Sequence, residues 1–228
     1  MRTKKILTEL KTISEDDYKK FNSGIIPTKQ KMLGVRLPLL RKLAKKIIKD
    51  DAESFINADK QNIYEMIMLE GIVLSYLNKP FSELLPLIEN YLSKTDNWAQ
   101  VDSVIQNFKS VKKEKDFALK VIKKWLKSNN EFIVRAGIVM LMSYYIENDN
   151  LEMIFSLSEN IKHEGYYVYM ANAWIISVCM IKFPEKTTEF FKNNNLDDKT
   201  HNKAIQKSME SYRVSKEDKE IIKKLKRK

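Results

Sequence analysis

The sequence has little of what a disulfide-bonded, turn-rich or membrane-spanning protein needs. Its 228 residues include one cysteine, Cys179, five glycines and five prolines. One cysteine excludes a disulfide within the chain, and its position in an apolar run predicts a buried core residue. Scarce glycine and proline argue against a β-protein and favour long helices. No apolar run is long enough to span a membrane, and none resembles a signal peptide, so we expect a soluble cytoplasmic protein.

Residues for metal or nucleotide chemistry are also scarce. The two histidines, His163 and His201, have no acidic or cysteine partners at the spacing of a metal site. No glycine-rich phosphate loop is present either. The sequence therefore predicts no metal, no nucleotide and no other cofactor.

The charge of the chain is strongly positive. Forty-one Lys and Arg against 30 Asp and Glu give a net charge of +11. Such an excess favours a nucleic-acid partner, although a generally solvated, lysine-rich surface is the alternative. With 43% hydrophobic residues the chain has enough apolar side chains for a sizeable core.

Amphipathic segments recur roughly every 15 to 20 residues and are joined by short polar linkers. Asp59 and Ser82 are placed as N-caps. The predicted helices span residues 37–49, 59–77, 82–92, 97–108, 114–126, 130–146, 150–161, 166–181, 184–192, 200–212 and 216–226.

Short linkers between helices of similar length predict antiparallel neighbours. We expect an all-α protein, an α-solenoid of degenerate HEAT-like helical pairs with a basic concave face. Residues 1–228 are expected to form a single domain and a monomer, with a basic tail over 215–228 that frays.

One predicted helix pairs an aromatic side chain with an acid. Trp98 and Asp102 are four residues apart and so lie on one helix face, which places an indole beside a carboxylate. A carboxylate on an otherwise basic surface is suited to stabilising a positive charge that develops on a bound polyanion. The alternatives are a core tryptophan and an acid that stabilises its helix N-terminus.

Two further residues recur at similar spacing. Arg135 is a lone cation in an apolar helix, and Trp174 is flanked by small residues. Each follows the preceding candidate by roughly 35 to 40 residues, about one helical repeat, which would place them on the same face as Asp102. Alternatively, Arg135 is a structural ion-pair partner of Asp102 or of Glu70.

Residues near Trp174 are candidates for contact with a nucleic-acid backbone. Tyr166 and Tyr167 precede Trp174 and either line the groove or pack in the core. Lys203 lies in a row with Lys199 and Lys207, four residues apart, which forms a basic stripe or a solvated face.

Four stretches carry a family resemblance: 33–41 (LGVRLPLLR), 98–103 (WAQVDS), 132–141 (FIVRAGIVML) and 166–174 (YYVYMANAW). Taken in this order they are similar to L-G-[VI]-x-x-P-x-x-R, W-x-x-x-D, an arginine in a W/F-x-x-R helix, and A-x-x-W. Over nearly its whole length the chain resembles bacterial DNA alkylation repair proteins of the AlkD type, which are HEAT-like-repeat DNA glycosylases.

The resemblance implies a bacterial enzyme that removes N3- and N7-alkylated purines from double-stranded DNA without base flipping. Asp102 would stabilise the oxocarbenium-like sugar and position the attacking water. Trp98 and Trp174 would pack on the sugar and backbone around the lesion. Arg135 would hold a phosphate or balance Asp102.

The chain departs from that pattern in two places. Gly24 and Pro27 interrupt the segment 23–32, where the resemblance implies a basic, aromatic helix. Ser143 and Ser177 stand where the glycosylases tend to carry basic residues. Two other functions therefore stay open: a catalytically silent relative that binds DNA, and a helical scaffold for protein partners.

Overall fold

The computed structural model describes residues 3–228, and within them the chain is almost entirely helical. This range contains two 3-10 helices, Lys109–Lys113 and Asn148–Asn150, and one isolated parallel bridge, Lys31 with Ile63. The all-α class predicted from the sequence is confirmed. The α-helices are α1 (Thr3–Thr12), α2 (Asp16–Ile25), α3 (Leu37–Asp50), α4 (Ala52–Asn57), α5 (Tyr64–Tyr76), α6 (Phe81–Lys94), α7 (Trp98–Ile105), α8 (Lys115–Trp125), α9 (Glu131–Tyr144), α10 (Leu151–Glu159), α11 (Tyr166–Lys182), α12 (Pro184–Lys192), α13 (Asp198–Glu210) and α14 (Lys216–Lys223).

The chain divides into two compact units, Met1–Ala118 and Leu119–Lys228, and the division falls within α8. In the first unit α5 contacts α3 and α7, and α4 and α6 also pack against it. In the second unit α11 contacts α9, α13 and α12. Each unit thus has a row in which every second helix packs on the next, as in helical-repeat proteins. The single domain and the basic concave face stay predictions.

Helix α5 is the core of the first unit and is buried on all sides, because every residue from Tyr64 to Ser75 is buried. Gly71 allows its neighbours to approach closely. A Cβ at this position would lie 2.5 Å from the Tyr91 ring and 2.7 Å from the Val104 side chain. Glycine is therefore required where α6 and α7 meet α5.

Helix α11 plays the same part in the second unit, where Cys179 is completely buried. This burial confirms the predicted core residue, and it raises the pKa of the Cys179 thiol to about 12. Residues 215–228 include α14, and the Arg227 guanidinium donates to the carbonyl oxygens of Asn194 and Leu196. This terminal stretch is therefore tied to the second unit.

Two of the predicted N-caps are wrong. Helix α5 begins at Tyr64, so Asp59 is not its N-cap; Gln61 and Asn62 have positive φ angles of 54° and 51°, which no helix permits. Helix α6 begins at Phe81, so Ser82 is not its N-cap either. The backbone N–H and the hydroxyl of Ser82 both donate to the Glu114 carboxylate instead.

The interruption predicted within 23–32 is confirmed. Helix α2 ends at Ile25, two residues before Pro27, and Gly24 lies in its last turn. In the part of the chain that is described, no helix is both long and apolar enough to cross a membrane.

Candidate active site

The candidate acid and its aromatic neighbour lie at the start of α7. Asn97 caps this helix by accepting the backbone N–H of Gln100 at 3.0 Å. Trp98 is the first helical residue and Asp102 follows one turn later, and both side chains are half-buried. The predicted pairing of indole and carboxylate on one partly exposed helix face is therefore present.

The indole of Trp98 is fixed by the end of α2. Its Nε1–H donates to the carbonyl oxygen of Ile25 at 3.2 Å. Trp98 is therefore not a core tryptophan. A core tryptophan would have both faces of its ring covered, whereas the Trp98 side chain is partly exposed.

The Leu33-Gly34-Val35 motif is held by a buried carboxylate on α5. The Glu65 side chain accepts the backbone N–H groups of Leu33 at 2.8 Å, Gly34 at 2.7 Å and Val35 at 3.3 Å. Gly34 has a φ of +97°, and a Cβ here would lie 2.5 Å from the Glu15 carbonyl oxygen. The motif therefore needs glycine for its backbone conformation and its packing.

Glu70 is also a buried carboxylate, and its two lysine partners both lie in the first unit. Its carboxylate pairs with Lys60 at 3.3 Å and with Lys94 at 2.6 Å. Burial lowers the pKa of the Lys60 ammonium, and the Glu70 carboxylate opposes that shift. Glu70, the alternative partner named for Arg135, is thus part of a lysine-paired cluster beside α4.

Arg135 links two helices of the second unit. It is 6% exposed within α9, and its guanidinium donates to the carbonyl oxygen of Tyr167 at 2.8 Å. The backbone N–H of Tyr167 in turn donates to the Glu131 carboxylate at 2.6 Å. One donor of Arg135 is therefore used to hold the first turn of α11 against α9.

An aromatic cluster lies at the start of α11. Tyr166 is 55% exposed, and its ring meets the rings of Tyr167 and Tyr169 edge to face, with centroids 5.1 and 5.4 Å apart. The Lys199 ammonium lies 4.0 Å from the centroid of the Tyr169 ring, a cation–π contact. Lys203 is half-buried and donates to Gln206. Exposed aromatic and cationic groups thus meet here.

Trp174 is half-buried on α11 between residues that are fully buried. The Ser177 hydroxyl donates to the carbonyl oxygen of Trp174 at 2.7 Å, and its side chain is buried. A basic residue at position 177, which the resemblance implies for the glycosylases, would be buried in this chain and would have to be removed from water. Ser143, by contrast, is exposed.

A pocket of about 610 Å³ lies in the second unit, beside the aromatic cluster. Tyr169, Asn172, His163 and Lys199 are among the residues that line it, whereas Arg135 and Trp174 are not. This pocket is therefore separate from the predicted catalytic residues of α9 and α11.

The structure brings the candidates together in two sets, one in each unit. Trp98 and Asp102 share a face of α7, and Arg135 contacts the backbone of Tyr167 beside Tyr166. The convergence of Trp98, Asp102, Arg135 and Trp174 in one groove stays a prediction. Sequence reasoning missed Glu65 and the polar residues that fix the start of α7, because their partners are distant in sequence.

These features define an all-α helical-repeat protein with a Trp–Asp pair on one helix face and an aromatic, cationic cluster on another. The sequence model of a family described as DNA alkylation repair enzyme matches residues 6–212. The chain belongs to this family, which confirms the resemblance, and its role is in DNA alkylation repair. No curated protein matches the chain.

Proposed function

We propose that the protein is a DNA glycosylase that hydrolyses the N-glycosidic bond of N3- and N7-alkylated purines in duplex DNA without base flipping. The observation that carries this proposal is the partly exposed Trp98–Asp102 pair on α7 in a chain of the DNA alkylation repair family. The net charge of +11 supports a polyanionic partner.

The chemistry explains why an acid is placed in a basic protein. An N3- or N7-alkylated purine is cationic and leaves without a strong general acid. As its bond to the sugar breaks, positive charge develops on the deoxyribose. The Asp102 carboxylate stabilises this charge and accepts a proton from the attacking water, whose oxygen bonds to the anomeric carbon.

The remaining candidates bind the DNA. The π face of Trp98 packs on the sugar beside Asp102 and favours its positive charge, and Trp174 packs on the sugar–phosphate backbone. The positive charge of Arg135 attracts a phosphate of the bound DNA, while one of its nitrogens holds the Tyr167 carbonyl. Tyr166, Tyr167 and Lys203 contact the DNA backbone, which the exposure of Tyr166 supports.

Release of 7-methylguanine and 3-methyladenine from methylated duplex DNA tests this proposal. We expect release by the wild type and far slower release by Asp102→Asn, with duplex binding retained in both. Asp116→Asn is the matched control, because Asp116 is an exposed acid in the first turn of α8. Release by Asp102→Asn at the wild-type rate would contradict the role of Asp102.

A failure to release any base has two distinguishable meanings. If the wild type retains duplex binding, the protein is a catalytically silent relative that recognises DNA. If duplex binding is also absent, the scaffold for protein partners becomes the better explanation, and the exposed apolar residues become the surface to test.

A further inference from the structure

The start of α7 is held by the loop that follows α2, residues 26–32. We propose that Asp96 and Gln100 are positioning residues, which fix this loop against α7 and thereby orient the Trp98 indole toward the substrate. This proposal rests on the function proposed above, because Asp96 and Gln100 affect base excision through the position of Trp98.

Asp96 binds the loop from the residue before the cap of α7. Its Oδ1 accepts the hydroxyl of Thr28 at 2.6 Å, and its Oδ2 accepts the backbone N–H of Lys29 at 2.7 Å. The Asn97 amide also donates to Oδ1, at 2.9 Å. Both carboxylate oxygens are thus used, in charge-assisted bonds that are short and directional.

Gln100 binds the same loop from the first turn of α7. Its Nε2 donates to Oε1 of Gln30 at 2.6 Å and to the Tyr64 carbonyl at 3.2 Å. Gln30 in return donates to Oε1 of Gln100 and to the Lys94 carbonyl. Gln100 is completely buried, and the network joins α5, α6 and α7 to the loop. Such a buried and satisfied network is rigid.

Trp98 lies between these two attachments. It follows Asp96 by two residues, and its Nε1–H donates to Ile25, which precedes Thr28 by three. The Ile25 carbonyl oxygen, which accepts the indole N–H, is therefore held in a fixed position relative to the first turn of α7. A loop released from Asp96 would free Ile25 to move, and the indole would lose its fixed orientation.

This arrangement gives a role to the segment 23–32, which lacks the helix that the resemblance implies. The loop 26–32 does not bring an aromatic residue to the DNA. It fixes the indole of Trp98, which α7 carries. Catalytic groups need support of this kind, because small errors in placement lower the rate steeply.

The first test follows the three indole N–H resonances of Trp98, Trp125 and Trp174 in ¹⁵N-labelled protein without DNA. Trp98→Phe assigns the resonance of Trp98 by its loss. Asp96→Asn and Thr28→Val are expected to shift this resonance and leave the other two in place. An unchanged Trp98 resonance in both variants would overturn the proposal.

The second test measures excision under single-turnover conditions at saturating protein. We expect Asp96→Asn and Thr28→Val each to lower the rate constant about tenfold, with duplex affinity changed less than about twofold. Thr28→Ser restores the rate because it keeps the hydroxyl. Thr8→Val is the matched control, since the Thr8 side chain is exposed and its hydroxyl donates to the Lys4 carbonyl within α1. Wild-type rates in Asp96→Asn and Thr28→Val would overturn the proposal.

The two tests separate this proposal from the function on which it rests. If the wild type releases no base, the glycosylase is refuted, and Asp96 has no catalytic step to support. The resonance of Trp98 then still decides whether the loop holds the indole. If the wild type is active and the Trp98 resonance moves without any loss of rate, the function stands and positioning by Asp96 is wrong.

Discussion

At the scale of single residues, Gly34 shows how backbone conformation fixes one motif. Its φ of +97° and its contact with the Glu15 carbonyl leave no room for a Cβ, whereas a Cβ at Gly24 would meet nothing within 4 Å. We expect Gly34→Ala to lower the free energy of unfolding by about 1–3 kcal/mol. Gly24→Ala is the control and should leave it unchanged or raise it by up to about 1 kcal/mol, because alanine favours the helix. Urea unfolding of both variants measures the difference, and equal stability would contradict this explanation of the motif.

Arg135 has both a structural and a proposed binding role. Because its buried guanidinium holds the Tyr167 carbonyl, Arg135→Ala should lower the free energy of unfolding by about 1–3 kcal/mol. It should also weaken duplex binding if another nitrogen contacts a phosphate. Arg213→Ala, at an exposed arginine, is the control. Urea unfolding and duplex titration measure the two effects, and unchanged DNA affinity in a folded Arg135→Ala would remove the phosphate contact.

At the scale of helices, the exposed aromatic cluster at the start of α11 predicts a contact surface. Tyr166→Ala should weaken duplex binding without lowering stability, because its ring is more than half exposed. Tyr212→Ala removes a fully exposed tyrosine from the turn before α14 and serves as the control. Fluorescence anisotropy with a labelled duplex measures the affinities. Equal affinities for the two variants would exclude this surface from the DNA contact.

The longer helices could be predicted from the helical spacing of their apolar residues. The prediction is closest for α12, which begins at Pro184 and ends at Lys192 as expected, since proline favours the first turn. The turn at Gln61 and Asn62, however, has no proline or glycine, so α5 was predicted to begin too early. Helices α1, α2 and α4 were not predicted. Helix α4 has only six residues, too few to show a helical period, whereas α1 and α2 have ten residues each and α1 buries Ile6 and Leu10 one turn apart.

In the candidate site, only the features that depend on residues close together in the sequence could be predicted. Trp98 and Asp102 share a face by their spacing alone, and the helix of α7 confirms it. Glu65, Asp96 and Gln100 could not be found in this way. Their partners are 30 to 70 residues away in the chain, and a polar bond of that range leaves no periodic pattern.

At the scale of the whole molecule, the net charge of +11 predicts a strong salt dependence of DNA binding. Each phosphate that a lysine or arginine neutralises releases counterions, so the logarithm of the binding constant should fall linearly with that of the salt concentration. A titration series over about 50 to 200 mM salt measures the slope. A flat dependence would mean that the cations are solvated and scattered and that the charge does not serve a nucleic-acid partner.

The central claim is that Asp102 stabilises the developing charge on the sugar of an alkylated nucleotide. The most direct measurement is the single-turnover rate constant for base release from a duplex with one 7-methylguanine, compared between the wild type and Asp102→Asn at equal occupancy. We expect the rate constant of Asp102→Asn to be about 10²–10³-fold lower, as for the loss of other preorganised electrostatic groups. Equal rate constants at equal occupancy would contradict it.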